Sequence, residues 1–204
     1  EYDSAQKTLT LTLEQHTAST PNEKEKKPFV IPILLALISE TGVKYSLTSN
    51  QMTTSEINNN LIEFRDTKRI LRFENLPTKP TLSILRGFSA PVKINTEQTE
   101  EELERLLLHD DDPFNRWEAG QKLAMQMILN NRLPDSALIN AYREILLDPE
   151  LDPAFKELAL TLPAESYLYE QCKSVDPQKI FAARKSFRKE LAKQLQLEWA
   201  ALYQ

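Results

Sequence analysis

At Phe88-Ser89-Ala90-Pro91-Val92-Lys93 the spacing of apolar residues along this chain changes from two to three or four. A period of two belongs to a half-buried strand, and a period near 3.6 to an amphipathic helix. Pro91 cannot donate to a sheet ladder, so a strand reaching it lies at an edge or is ending. The expected fold class is therefore α+β and multidomain. Residues 1–96 form an N-terminal β-sandwich, and residues 97–204 begin an α-helical, solenoid-like (superhelical) array.

Composition sets outer limits on function. With 204 residues, 41% hydrophobic and 27% charged, the chain resembles an ordinary folded protein with room for real cores. A net charge of −5 gives no electrostatic reason for nucleic acid or anionic lipid to bind. The single Cys172 forms no internal disulfide and fits a reducing compartment. The longest apolar run, Val30 to Ile38, is too short to span a bilayer and contains Pro32. The chain opens at Glu1 without Met or a signal sequence. It closes on a stripe of Trp199, Leu202 and Tyr203 with no Gly or Pro to end it. Both ends read as cuts in a longer protein, and an outer helical face that has lost its neighbour predicts self-association.

In the first half, Lys7 to Glu14 alternates Leu9, Leu11 and Leu13 against Thr8, Thr10 and Thr12, a strand with one wet face. The charged stretch from Asn22 to Lys27 reads as exposed loop. Pro28 to Ile38 is a second strand, apolar on both faces, with Pro32 marking an edge or a bulge. Lys44 to Thr48 is a short third strand, and Ser49 to Asn60, polar and aperiodic, reads as mostly loop. Leu61 to Phe64 and Ile70 to Glu74 are expected to pair as a hairpin about Asp66-Thr67-Lys68, and Thr81 to Leu85 is a further strand.

In the second half, the acidic run Glu97 to Glu104 opens a helix whose macrodipole it complements. Asp112-Pro113, Asp152-Pro153 and Asp176-Pro177 share one start signal. The Asp carboxylate accepts from first-turn N–H groups, and Pro at the first helical position loses no bond. Asp148-Pro149, so close to Asp152-Pro153, reads as a turn. Pro134-Asp135-Ser136 opens a helix to about Leu147. Gly120, inside the helix from Pro113 to about Asn130, implies close approach of another helix. A helix from Pro153 to Leu162 stops at Pro163. From Pro177, Ile180, Ala183, Phe187, Leu191, Leu195, Trp199 and Leu202 share a face, predicting one last helix of roughly 40 Å.

No catalytic constellation is visible. His16 and His109 are the only histidines and form no metal-ligand pair. His109-Asp110-Asp111-Asp112 has the residue types of a metal site but reads more simply as a helix end followed by a capping Asp. Cys172 has no His or Cys nearby, and Ser89 lacks the second Gly of a nucleophile elbow. Three glycines build no phosphate loop. Lys179, Arg184, Lys185, Arg188, Lys189 and Lys193 give one basic helix surface, which reads as a solvated face. The residues therefore supply no catalytic site and no metal site, and a substrate-binding site is unknown.

Several separated stretches, in order, resemble a known family. Leu9-Thr10-Leu11-Thr12-Leu13-Glu14-Gln15-His16-Thr17, then Thr20-Pro21 and Lys27-Pro28-Phe29-Val30-Ile31-Pro32, are similar to the opening of the small β domain of bacterial aminopeptidase N, in the M1 family of zinc metallopeptidases. Phe88 to Lys93 is similar to the exit from that domain. Asp112-Pro113-Phe114-Asn115-Arg116-Trp117-Glu118-Ala119, Leu146-Leu147-Asp148, Asp152-Pro153-Ala154 and Leu160-Thr161-Leu162-Pro163 are similar to its helical domain. Ala18 stands where the family is expected to have a loop proline.

The resemblance implies a cytoplasmic hydrolase that removes N-terminal residues from peptides. Its zinc and catalytic residues would lie in a domain upstream of Glu1. In this fragment no cofactor is expected, and its partners are the upstream catalytic domain and downstream helices of the same parent. The fragment's implied role is to support that domain and restrict access to it. The residues alone leave open a second reading, a β-sandwich and helical-repeat scaffold that binds protein without enzymatic activity.

Overall fold

The computed structural model describes residues 1–22 and 26–202, so the expected loop at Glu23-Lys24-Glu25 and the terminal Tyr203 lie outside the described residues. The chain divides into two compact units, Glu1–Thr96 and Glu97–Gln204.

The first unit is a sandwich of two sheets. Strands β1 (Tyr2–Asp3), β2 (Thr8–Glu14) and β6 (Lys68–Phe73) form one sheet in the order β1-β2-β6. In the other, β3 (Ile31–Ile38) is the common partner of β4 (Lys44–Tyr45), β5 (Leu61–Phe64) and β7 (Thr81–Ile84), all antiparallel to it. Leu9, Leu11 and Leu13 stand opposite Phe73, Leu71 and Arg69, so these six share the inner face. Their leucines and Phe73 pack with Ile33, Leu35 and Leu37 of β3 and Ile62 and Phe64 of β5.

Pro32 is neither at an unpaired edge nor in a bulge. It sits opposite Glu63, whose N–H points away from β3 to Glu56 Oε1 at 3.1 Å. In such a non-hydrogen-bonded pair the residue facing Glu63 has no ladder bond to lose. Two positions on, Leu34 N donates to Ser89 Oγ at 3.0 Å, so the exit segment covers this side of β3 beyond the end of β7. That exit is tight: Leu85, Gly87 and Phe88 all have positive φ, at 56°, 59° and 54°. For Leu85 and Phe88 this backbone is strained by about 1 kcal/mol each.

Three further expectations in this half are corrected. Ser49 to Asn60 is not mostly loop, because Thr54–Asn59 forms α1. Thr53 and Glu56 close a capping box at its start, and Asn60 turns left-handed at its end. Leu61–Phe64 and the strand through Ile70 are not a hairpin. β5 pairs with β3 and β6 with β2, so the link between them crosses from sheet to sheet. Alternation reports which face is buried and leaves the partner undetermined. The third strand is only Lys44–Tyr45, although Leu47 still reaches the core.

The second unit contains α2 (Glu100–His109), α3 (Pro113–Leu129), α4 (Ser136–Leu147), α5 (Pro153–Leu160), α6 (Glu165–Glu170), α7 (Pro177–Gln194) and α8 (Gln196–Leu202). The Asp-Pro signals act as the sequence predicts. Asp112, Asp152 and Asp176 accept first-turn N–H bonds at 2.9, 2.7 and 3.1 Å, and Asp135 caps α4 at 3.0 Å. Asp148 ends α4 and makes a turn to Glu150 N. The first of these helices begins at Glu100, because the Thr99–Glu102 capping box sets its start.

The expected single last helix is two. Leu195, at φ −108° and ψ 17°, separates α7 from α8, so α7 is about 27 Å long. The side chain of Arg143 on α4 explains the break: it donates to Gln194 O at 3.3 Å and to the Glu198 carboxylate. The short α6 has no side-chain cap at Ala164, which is why no start signal marks it.

Gly120 has the close neighbour its position implied. A Cβ there would lie 3.1 Å from Leu107 Cδ1 on α2 and 3.8 Å from Tyr142 Oη on α4. With so few glycines, these helices do not end in glycine caps. Instead, side chains from neighbouring elements take up terminal carbonyls. Arg116 on α3 donates to Leu107 O at 2.7 Å, Lys156 on α5 to Leu146 O at 3.0 Å, and Gln121 on α3 to Thr161 O at 2.6 Å. A cation at a helix C-terminus also meets the negative end of the macrodipole.

Candidate functional site

A carboxyl strongly perturbed by a charged partner is that of Glu56, on α1 in the sandwich. It is only 8% exposed. Alternation along β6 turns Arg69 inward with Leu71 and Phe73, which carries its guanidinium to Glu56. Nη1 donates to Oε1 at 2.7 Å and Nη2 to Oε2 at 3.2 Å. Arg69 also donates to Gln51 O at 2.9 Å and to Glu63 O at 3.2 Å. Glu56 further accepts from Thr53 N at 2.8 Å and from Glu63 N. Arg69's hydrogen bonds, helped by these N–H groups and opposed by burial, hold the Glu56 carboxyl down at about 2.

Beside this pair lies a cleft of about 380 Å³, lined by Glu56 and Arg69 together with Ser55, Asn59, Glu63 and Asp66, among others. It is a poor place for acid–base chemistry. Glu56 stays ionised near neutral pH, and both its oxygens are already committed to donors. What the arrangement does is mechanical: one buried ion pair ties α1 and β5 to β6, and so joins the two sheets. Its signal in the sequence is an arginine at an inward position of a strand, which needs a carboxylate inside the fold.

Each residue weighed as catalytic or metal-binding has its own local setting. His16 and His109 are exposed. Asp110 Oδ1 accepts from Asp112 N, and Asp112 caps α3, so the His109–Asp112 run is a helix end and a helix start. Cys172 is half-buried, with its thiol against Leu168 O. Ser89 holds Leu34 N. Among the described residues no group of three or more His, Cys, Asp and Glu side chains is placed to hold a metal ion, so the donors here do not fit zinc. No described helix is long and apolar enough to cross a membrane.

Comparison with known proteins adds what the geometry lacks. Residues 1–97 match a family model described as a domain of unknown function with an Ig-like fold, DUF3458. Residues 100–204 match its companion, described as a domain of unknown function made of ARM repeats, DUF3458_C. The chain belongs to the DUF3458 family. Its relatives are bacterial aminopeptidases, as the motifs in the sequence implied. The DUF3458 chain is 30% identical to aminopeptidase N of Escherichia coli, over 100% of its own length and 24% of that protein. It is 37% identical to aminopeptidase N of Caulobacter vibrioides over 63% of its length and 16% of that protein. It is 29% identical to aminopeptidase N of Haemophilus influenzae over 99% and 24%. The DUF3458 chain thus spans about a quarter or less of the curated relatives it matches. A solved structure of Legionella pneumophila aminopeptidase A in complex with aspartic acid shares its fold. The TM-score is 0.79 at 24% identity, covering 99% of this chain and 22% of that one. The expected β-sandwich followed by an α-helical, solenoid-like array is the fold observed, and the matched families describe the two parts as Ig-like and as ARM repeats.

Proposed function

We propose that the DUF3458 chain is a non-catalytic segment of a cytoplasmic, zinc-dependent M1-family aminopeptidase, which removes N-terminal residues from peptides. Its work is to support and cover a catalytic domain carried elsewhere in the parent. The observation that carries this reading is alignment along the whole chain to a relative of which it spans only 24%. The residues present fit a support role. The polar cluster of Glu56 with Arg69 is spent on holding two sheets together, and Arg116, Lys156 and Gln121 of the helical unit are spent on helix ends. No step of hydrolysis runs through these residues. Zinc, where the parent binds it, would polarise the scissile carbonyl and activate water.

The reading frame upstream of Glu1 tests the proposal. A His-Glu-x-x-His segment with a later Glu, and release of N-terminal residues from peptides by the full-length product, are expected. An upstream region without that segment leaves a binding scaffold in its place. Stoichiometric, tightly held zinc in the purified 204-residue chain would also overturn the non-catalytic reading. We further propose that the isolated chain self-associates through α8, where Leu197 and Leu202 are exposed. Sedimentation should show a concentration-dependent species that Leu197→Glu removes, and a strictly monomeric chain sinks the idea.

A further inference from the structure

The outer face of α7 carries a charge pattern that none of these roles uses. Between Pro177 and Gln194 stand six basic residues and one acid, Glu190, a local charge of +5 in a chain of net −5. Arg184 is taken inward, donating to Pro163 O at 2.7 Å. Glu190 is half-buried and accepts from Gln194. On the side away from the buried stripe Ile180, Ala183, Phe187 and Leu191 there remain Lys185, Lys189 and Lys193, in an i, i+4, i+8 row. Arg188 lies beside the row. Phe181 heads it, 51% exposed, with Lys185 Nζ 5.9 Å from its ring centre. Among the described residues no carboxylate forms an ion pair with Lys185, Arg188, Lys189 or Lys193. Like charges at i,i+4 repel, so the row lowers the helix's stability without an internal counter-charge to offset it.

We propose that this face is a docking strip for an acidic polypeptide segment in extended conformation. Residues four apart on a helix rise by about 6.0 Å. Alternate residues of an extended chain repeat at about 6.6–6.8 Å. A peptide with Asp or Glu at every second position therefore meets Lys185, Lys189 and Lys193 in succession, and an apolar residue at its end covers Phe181. A bilayer suits the face poorly, because the apolar side of α7 is already buried and has nothing to insert. Spacing does not separate the peptide from duplex nucleic acid, whose alternate phosphates also lie about 6.8 Å apart along a strand, but the rest of the chain is acidic and repels a long polyanion.

The test is binding of a fluorescein-labelled alternating Glu-Ser peptide to the 204-residue chain, read by anisotropy and independent of any peptidase activity. Saturable binding that weakens with salt is expected. The triple variant Lys185→Gln, Lys189→Gln, Lys193→Gln should bind at least about tenfold more weakly. A triple variant of exposed lysines in the sandwich, Lys27→Gln, Lys79→Gln, Lys93→Gln, changes net charge equally and should bind as the parent chain does. Circular dichroism confirms that both variants remain folded. The proposal fails if the peptide does not bind, if both triple variants weaken alike, or if a DNA oligonucleotide or an anionic vesicle competes more strongly for the same lysines.

Discussion

Glu56 and Tyr142 are both buried polar side chains, with opposite consequences. The Glu56 carboxyl sits near 2 in the folded chain against an ordinary value of 4.5. Because the folded value is the lower one, its contribution is present in full above about 4.5 and is lost as pH falls toward about 2. It is worth about 3 kcal/mol at neutral pH. Glu56→Gln should remove a similar amount by stranding Arg69, measured as a lower urea midpoint at pH 7 and a much flatter acid limb than that of the parent chain. Tyr142 is fully buried, and its hydroxyl has no hydrogen-bond partner among the described residues. Burial pushes its phenol well above the ordinary value, so it stays neutral. Tyr142→Phe should therefore be neutral or stabilise by up to ~1 kcal/mol in urea unfolding. A loss above that size would reveal a partner, such as a buried water.

At the scale of elements, starts and stops obey different rules. Each Asp-capped helix begins where its own residues say it should, since the acceptor and the donors lie within one turn. Ends are settled by neighbours, and the break between α7 and α8 is one such case. Arg143→Ala should loosen α8 while leaving α4 in place. Hydrogen exchange at Trp199 N–H, bonded to Leu195 O at 3.0 Å, should accelerate by about 5- to 30-fold. Unchanged protection there would mean that packing alone seats α8. The capping box at Thr53–Glu56 was legible in principle. It lay in a stretch without hydrophobic period, and one helix turn and a half is too short to show one.

For the whole molecule, each unit buries its own apolar core, with Leu37, Ile62, Leu71 and Phe73 in the first and Leu107, Leu123, Met127 and Tyr142 in the second. Separate cores predict separate cooperativity. Calorimetry should resolve two transitions, with Glu56→Gln lowering only one and any effect of Tyr142→Phe confined to the other. One transition displaced by both substitutions would show that the units unfold together.

What the sequence determined by itself is what local chemistry governs: strand or helix from the apolar period, helix starts from Asp-Pro and Thr-x-x-Glu, and the switch of fold near Pro91. Tertiary structure decided what depends on residues far apart in the chain. It sent β5 and β6 to different sheets, turned Arg69 onto Glu56, and placed Pro32 where its missing N–H costs nothing. It also ended helices with side chains from their neighbours and broke the last one at Leu195. The reason is physical. A pleat or a first helical turn is closed by atoms a few residues apart, whereas a buried charge or an orphan carbonyl accepts any donor the fold brings within about 3 Å.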